Sequence, residues 1–164
     1  MQDRFKFRCG ITISHYDDDG NDIETSLLVN NISIFDDGDV GFNRESLKEA
    51  VERKNLSEEE ERTLWNSLDE YEVFEDWYQM SADFIEQCSG LNDKNNCLIW
   101  EGDICIPAKD VADKPGEVYR AESGAYFIKG IMKSGMNYDC NLYWHHYMYE
   151  VIGNIHENAD LIEE

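Results

Sequence analysis

Positive charge is scarce in this 164-residue chain: 14 Lys and Arg stand against 36 Asp and Glu, a net charge of −22. That scarcity argues against direct nucleic-acid binding, where much of the affinity comes from Lys and Arg contacts to phosphates. Also missing is any apolar run approaching the ~20 residues that span a bilayer. The opening Met1-Gln-Asp-Arg-Phe-Lys-Phe-Arg8 lacks the apolar stretch of a signal peptide. The chain therefore reads as soluble and cytoplasmic. Its cysteines (Cys9, Cys88, Cys97, Cys105, Cys140) form no Cys-x-x-Cys pair. An odd count without a secretory signal suits reduced thiols better than a disulfide framework, and the spacing offers no zinc site. No Ser–His–Asp, Cys–His, P-loop, HExxH or Rossmann pattern occurs. No catalytic residue, cofactor or metal is expected.

What is present is enough to fold. The length suits one domain, 1–164, and 41% hydrophobic residues with twenty aromatics argue against disorder. The negative charge is uneven. Between Asp17 and Glu86 lie 22 acidic residues and five basic ones (Arg44, Lys48, Arg53, Lys54, Arg62), leaving −17 in that stretch.

Alternation of Phe5, Phe7, Cys9, Ile11 and Ile13 predicts a strand over 4–14. The Asp17–Asp22 cluster predicts a turn into a strand near Ile23–Val29, and Asn30-Asn31 a turn before one at Ile32–Phe35. Helical spacing begins after Asn43, a candidate N-cap, with Leu47, Ala50 and Val51 on one face. Ser57 and Glu60 fit a capping box for a second helix, whose apolar face is Leu64, Trp65, Leu68 and Tyr71. Strands are expected within Trp77–Cys88, ending at Ser89-Gly90, and at Cys97–Trp100, Ile104–Ile106, Val118–Ala121, Ala125–Met132, Leu142–Tyr149 and Val151–Ile155. Asp93-Lys-Asn-Asn96 has the residues of a hairpin turn. Gly102-Asp103 before an apolar strand resembles the opening of SH3-like barrels. The fold class is α+β: a β-rich core with an SH3-like partly open barrel and an acidic, partly helical insertion of about two helices, roughly 36–76.

Most residues that invite chemistry have simpler roles. With Gly20 at position 6 of a calcium loop, His15 falls at position 1 and Ser26 at position 12, neither the required acid; a turn accounts for the cluster. His145 and His146, adjacent in the expected strand, would point to opposite faces, so the Trp144–Tyr149 aromatics read as core. Cys88 and Cys97 read as small apolar residues. Asp93, Glu101, Asp103, Gly153 and Asn154 all suit turns and strand ends.

The acidic stretch is harder to dismiss. From Asn55 to Asn92 the only basic residue is Arg62. Glu58–Glu61 lie in a first helical turn, where the helix dipole favours them. That leaves Asp69, Glu70, Glu72, Glu75 and Asp76 unexplained, beside aromatics of the type enriched at interfaces. The candidate partner-binding face is Glu58, Glu59, Glu61, Trp65, Asp69, Glu70, Glu72, Glu75, Asp76 and Trp77.

Two segments carry a resemblance. Gln87-Cys-Ser-Gly-Leu-Asn-Asp-Lys-Asn-Asn-Cys-Leu-Ile-Trp-Glu-Gly-Asp-Ile104 is similar to a family pattern of the form TGLKDKNGKEIYEGDIV. Glu150-Val-Ile-Gly-Asn-Ile-His-Glu-Asn-Ala-Asp-Leu-Ile162 is similar to EVIGNIYENPELL, and Phe5–Arg8 matches part of IKFRAWD. Together they resemble the YopX-like family of phage and prophage proteins. Asn95-Asn96 stands for the family's Asn-Gly, Trp100 for its Tyr and Ala159 for its Pro. The resemblance implies a phage or prophage origin and a bacterial cytoplasm, and no catalytic residue. The acidic stretch is outside the resembling segments.

These readings point to a non-enzymatic acidic interaction protein, with a basic host or phage protein as partner. A DNA mimic or anti-defence inhibitor, occupying the basic groove of a nuclease or other nucleic-acid-binding enzyme, is the sharpest form. The alternatives are a small-ligand-binding or enzymatic protein using an aromatic groove of the β-core, and a phage regulatory or assembly accessory.

Overall fold

The computed structural model describes residues 6–36, 38–74, 77–107, 114–131 and 136–162. These form two compact units, one of Lys6–Glu86 and one from Gln87 onward. Strand is the main element, 49% of residues, with three α-helices among the described residues, so the fold is α+β with a β-rich core.

In the first unit β1 (Phe7–Tyr16) and β2 (Asp22–Asn30) form an antiparallel hairpin, in register from Arg8↔Asn30 to Tyr16↔Asp22. Period-two alternation puts Cys9, Ile11, Ile13 and His15 inside and Thr12, Ser14 and Tyr16 outside. Phe5, expected on the inner face, lies outside the described residues. The first half of β1 is covered on both faces. Gly10 lies under the ring of Phe84, and Arg8 donates to the Glu86 carboxylate at 2.6 Å with both side chains buried.

β3 (Ser33–Ile34) and β4 (Asp39–Asn43) lead into α1 (Arg44–Lys54) and α2 (Glu58–Leu68); β5 (Glu72–Phe74) and β6 (Trp77–Ser81) then complete a sheet of order β3-β4-β6-β5. The two helices are the expected ones, and their ends explain why. The Ser46 N–H donates to Asn43 Oδ1 at 2.9 Å, while Asn55 closes α1 in a left-handed conformation. The box at α2 is complete: the Glu60 N–H donates to Ser57 Oγ, and the Ser57 N–H to Glu60 Oε2. Leu47, Ala50, Val51, Leu64 and Leu68 are buried with Ile11, Ile13 and Phe42 in one core.

The structure departs from expectation at two points here. β4 was not anticipated, because its apolar content is only Val40 and Phe42, with Gly41 between them. Strand within Trp77–Cys88 is present as expected, in β6 and the start of β7 (Phe84–Asn92), parted where the Asp83 N–H turns to Gly10 O (2.8 Å) and its carboxylate accepts from the Thr12 hydroxyl. Tyr71, placed on the buried face of α2, lies beyond that helix in a 3-10 turn (Asp69–Tyr71) and is 41% exposed.

The cap of α2 yields a stability prediction. Ser57→Ala is expected to cost about 1 kcal/mol in urea denaturation. The Ser57 hydroxyl, then its N–H, holds the Glu60 carboxyl below the usual glutamate range. A depressed folded pKa stabilises above the unfolded value, and the contribution is lost as pH falls through the folded one. The variant should therefore lose less stability than the parent as pH drops below the ordinary glutamate range.

From Gln87 onward, β7 turns at Asp93–Asn96 into β8 (Leu98–Trp100), and Asn96 adopts a φ of 67° as its place in the turn demands. β7 does not stop at Ser89-Gly90. Gly90, at φ 73°, sits where the β7–β8 register shifts, so these residues form a bulge instead of a strand end. β9 (Asp103–Pro107), β10 (Gly116–Arg120), β11 (Tyr126–Ile131) and β12 (Asn137–Asn141) follow, then α3 (Leu142–His145), a 3-10 turn (His146–Met148) and β13 (Tyr149–Asn154). The sheet order is β12-β11-β10-β9-β13. Four strands meander and the fifth returns to the first across a short 3-10 turn, which is SH3-like topology in a partly open barrel. Ile99, Cys105, Val118, Ile128, Leu142 and Tyr149 form its core.

The connector before β13 corrects the expected strand at Leu142–Tyr149. Asn141 accepts the Tyr143 N–H at 3.0 Å and starts a helical turn. Only Leu142 and Tyr149, at its two ends, are buried; Tyr143, Trp144 and Tyr147 are more than half exposed, so these aromatics are not core. His145 and His146 are separated by helical geometry and not by strand alternation: His145 is exposed, and His146 Nδ1 meets Asn92 O.

Candidate acidic interaction surface

Helix α2 lies on β1, with Leu64 and Leu68 toward the core. On its inner side the buried His15 is held between Thr63 (3.0 Å) and Thr25 (2.8 Å). That docking leaves Glu58, Glu59 and Glu61 exposed along the outer side, and the chain runs on through exposed Asp69, Glu70 and Glu72. Six of the ten candidate residues thus present carboxylates to solvent. Glu75 and Asp76 lie outside the described residues.

The two tryptophans are placed differently. Trp65 is half-buried, the Arg44 guanidinium lies 5.0 Å from its ring centroid, and its Nε1 donates to Glu61 Oε1 at 3.2 Å. Trp77 is half-buried on β6, its ring against Gly41. Tyr71, between Glu70 and Glu72, is an exposed aromatic among these acids.

The structure brings a second acidic element to this surface. The Asp18 carboxylate takes both bonds from Arg62 Nη2, at 2.6 and 2.8 Å, and the Asp18 N–H reaches Glu59 Oε1 at 3.3 Å. The β1–β2 turn, with Asp17, Asp18 and Asp19, is thereby joined to the start of α2. Bonds from the Asn21 side chain and N–H lower the Asp17 pKa, so it stays ionised further into acid. The Asp18 pairing also raises the Arg62 pKa and commits the cation of α2 to one carboxylate. In sequence the cluster has only the pattern of a turn; its joining to residues some forty positions away depends on how α2 docks. The Asp17 carboxylate is held by Asn21 and that of Asp18 by Arg62, which is how the cluster serves as a turn.

The two resembling segments meet in the unit that begins at Gln87. Asp93 Oδ1 accepts from the N–H groups of Asn95 and Cys97, and its Oδ2 from Val151 N–H. Lys94 pairs with Glu150 at 2.5 Å, and Asp103 accepts the Trp100 N–H at 2.8 Å. β9 and β13 pair from Tyr149↔Pro107 to Asn154↔Asp103. Asp93, Asp103 and Asn154 are buried. Burial raises the pKa of the Cys105 thiol, as it raises that of Cys9 to about 12, which keeps both protonated and unreactive.

A family model described as YopX protein matches residues 29–163, most of the chain. The chain belongs to the YopX family. Within this YopX chain the match runs through the acidic stretch as well as the two resembling segments, and it begins after most of β1 and β2. No curated protein matches the YopX chain at a significant level. No described helix is long and apolar enough to cross a membrane.

Proposed function

We propose that this YopX-family chain is a phage-type, non-enzymatic interaction protein. Its Lys6–Glu86 unit binds the basic surface of a host or phage protein, and the carboxylates stand where a nucleic acid would place phosphates. The supporting observation is the concentration of exposed acid: Asp18, Asp19, Glu58, Glu59, Glu61, Asp69, Glu70 and Glu72, with exposed Tyr71 among them, half-buried Asp17 beside Asp18, and Arg62 already paired. Concentrated charge of one sign costs self-repulsion, and a cationic partner relieves it. Such a field also speeds encounter and disfavours acidic competitors.

The test reverses Glu58, Glu59, Glu61, Asp69 and Glu70 to Lys. All five are exposed, so folding should survive, as near-UV circular dichroism will check. The parent chain is expected to capture a basic protein from bacterial lysate, and the purified partner to bind the variant at least about 100-fold more weakly, near 3 kcal/mol. Equal binding to both forms would refute the proposal.

A further inference from the structure

We propose that a cleft in the barrel unit binds a small aromatic anion, a planar ring carrying one carboxylate or phosphate. The cleft has a volume of about 480 Å³, in the range of small-molecule sites. Its walls include Gln87, Arg120, Gly124, Tyr126, Asn141 and Tyr143, and among the described residues no Asp or Glu lines it. That is unusual in a chain with 36 acidic residues.

Arg120 is the stronger anomaly. Among the described residues every other Lys and Arg is engaged. Arg8 pairs with Glu86, Lys48 with Glu52, Arg62 with Asp18, Lys94 with Glu150 and Lys129 with Glu117, Arg44 lies on Trp65, and the rest also have partners. Arg120 has no such partner among the described residues, although acid outnumbers base more than two to one in the sequence. Its Nη2 lies over Gly124, 3.4 Å from where a Cβ would stand. Gly124 holds the β10–β11 turn at a φ of 81° and leaves that space open.

Other groups suit the rest of such a ligand. The Asn141 carbonyl oxygen is used by the Tyr143 N–H, which leaves the Asn141 NH₂ as a donor without a partner among the described residues. The Tyr126 hydroxyl is fixed on Cys88 O at 3.4 Å, holding that ring as a wall, and Tyr143 supplies a second ring. A guanidinium fork matches a carboxylate or phosphate through two parallel bonds, and tyrosine faces take an aromatic ring. The net charge of the chain does not forbid an anion here, because fields are screened beyond ~8 Å at physiological salt.

The experiment is calorimetric titration of the full chain with adenosine monophosphate, indole-3-acetate, adenosine and inorganic phosphate. At least one of the two ring-bearing anions is expected to bind with Kd below about 1 mM, and which one does so assigns the head group as phosphate or carboxylate. Adenosine and inorganic phosphate should bind at least about tenfold more weakly, each lacking half of the ligand. R120Q should weaken binding about tenfold or more, while K129Q, which removes the same charge outside the cleft, should leave it unchanged. Lack of binding by both ring-bearing anions at about 10 mM would overturn the proposal, as would equal effects of R120Q and K129Q. None of these outcomes depends on the acidic surface of the other unit.

Discussion

Asp93→Ala is expected to lose about 3–5 kcal/mol of stability, measured by urea denaturation. One carboxylate serves three N–H groups: Asn95 and Cys97 within the hairpin, and Val151 on β13, 58 residues away. Asp93 is 6% exposed, so water cannot simply replace it. Hydrogen bonds to a charged group contribute about 1.5–3 kcal/mol each, and a stranded donor adds its own cost; the three share one anchor, so they do not sum. Asp93→Asn should lose less, about 2 kcal/mol, because one oxygen can still serve the hairpin while an NH₂ faces the remaining N–H. Hydrogen exchange should show Asn95, Cys97 and Val151 losing protection together in the Ala variant. If Val151 kept its protection, the tie between hairpin and β13 would be shown unimportant.

Gly116→Ala is expected to be comparably damaging, at about 3 kcal/mol or more, for a steric reason. Gly116 pairs with Cys105 on β9, and a Cβ at that position would stand 1.8 Å from Lys129 O on β11. The obstacle is backbone of a neighbouring strand, so no rotamer change relieves it. Either the β10–β11 pairing opens at this end or β10 shifts against β9, and both disturb the core around Val118 and Ile128. A thermal midpoint within a degree or two of the parent would contradict this packing.

What could be read from sequence was chemistry that closes over a few residues. Asn43 caps Ser46, Ser57 and Glu60 cap each other, and Asp93 and Asp103 hold turn amides two to four residues away. The β1–β2 hairpin was legible because its alternation is long and uninterrupted. β4 and β12 were not, since one is cut by Gly41 and the other is largely polar, and both exist because a neighbouring strand pairs with them. At Leu142–Tyr149 the aromatic content suggested a strand, but the chain must cross from β12 to β13 there, and the cap at Asn141 decides the conformation.

The same limit governs the candidate site. The acids of α2 and beyond stood out by composition, and the structure places Glu58, Glu59, Glu61, Asp69, Glu70 and Glu72 at the surface. Trp65 and Trp77 were singled out by residue type, which carries no information about which face of a helix or strand is covered. The contribution of the β1–β2 turn was invisible because it depends on α2 docking on β1 through contacts such as His15–Thr63. The Arg120 cleft was equally hidden: whether a cation is paired is decided by the fold and not by the number of acids in the chain.

The central claim is that binding is driven by the carboxylates of the Lys6–Glu86 unit, and the salt dependence of association measures it most directly. Affinity for the captured partner is to be measured from about 50 to 200 mM salt, for the parent and for the five-site Lys variant. The parent affinity is predicted to fall at least about tenfold over that range, mainly through slower association, with the variant weak and nearly flat. A parent affinity that does not change with salt would contradict the account.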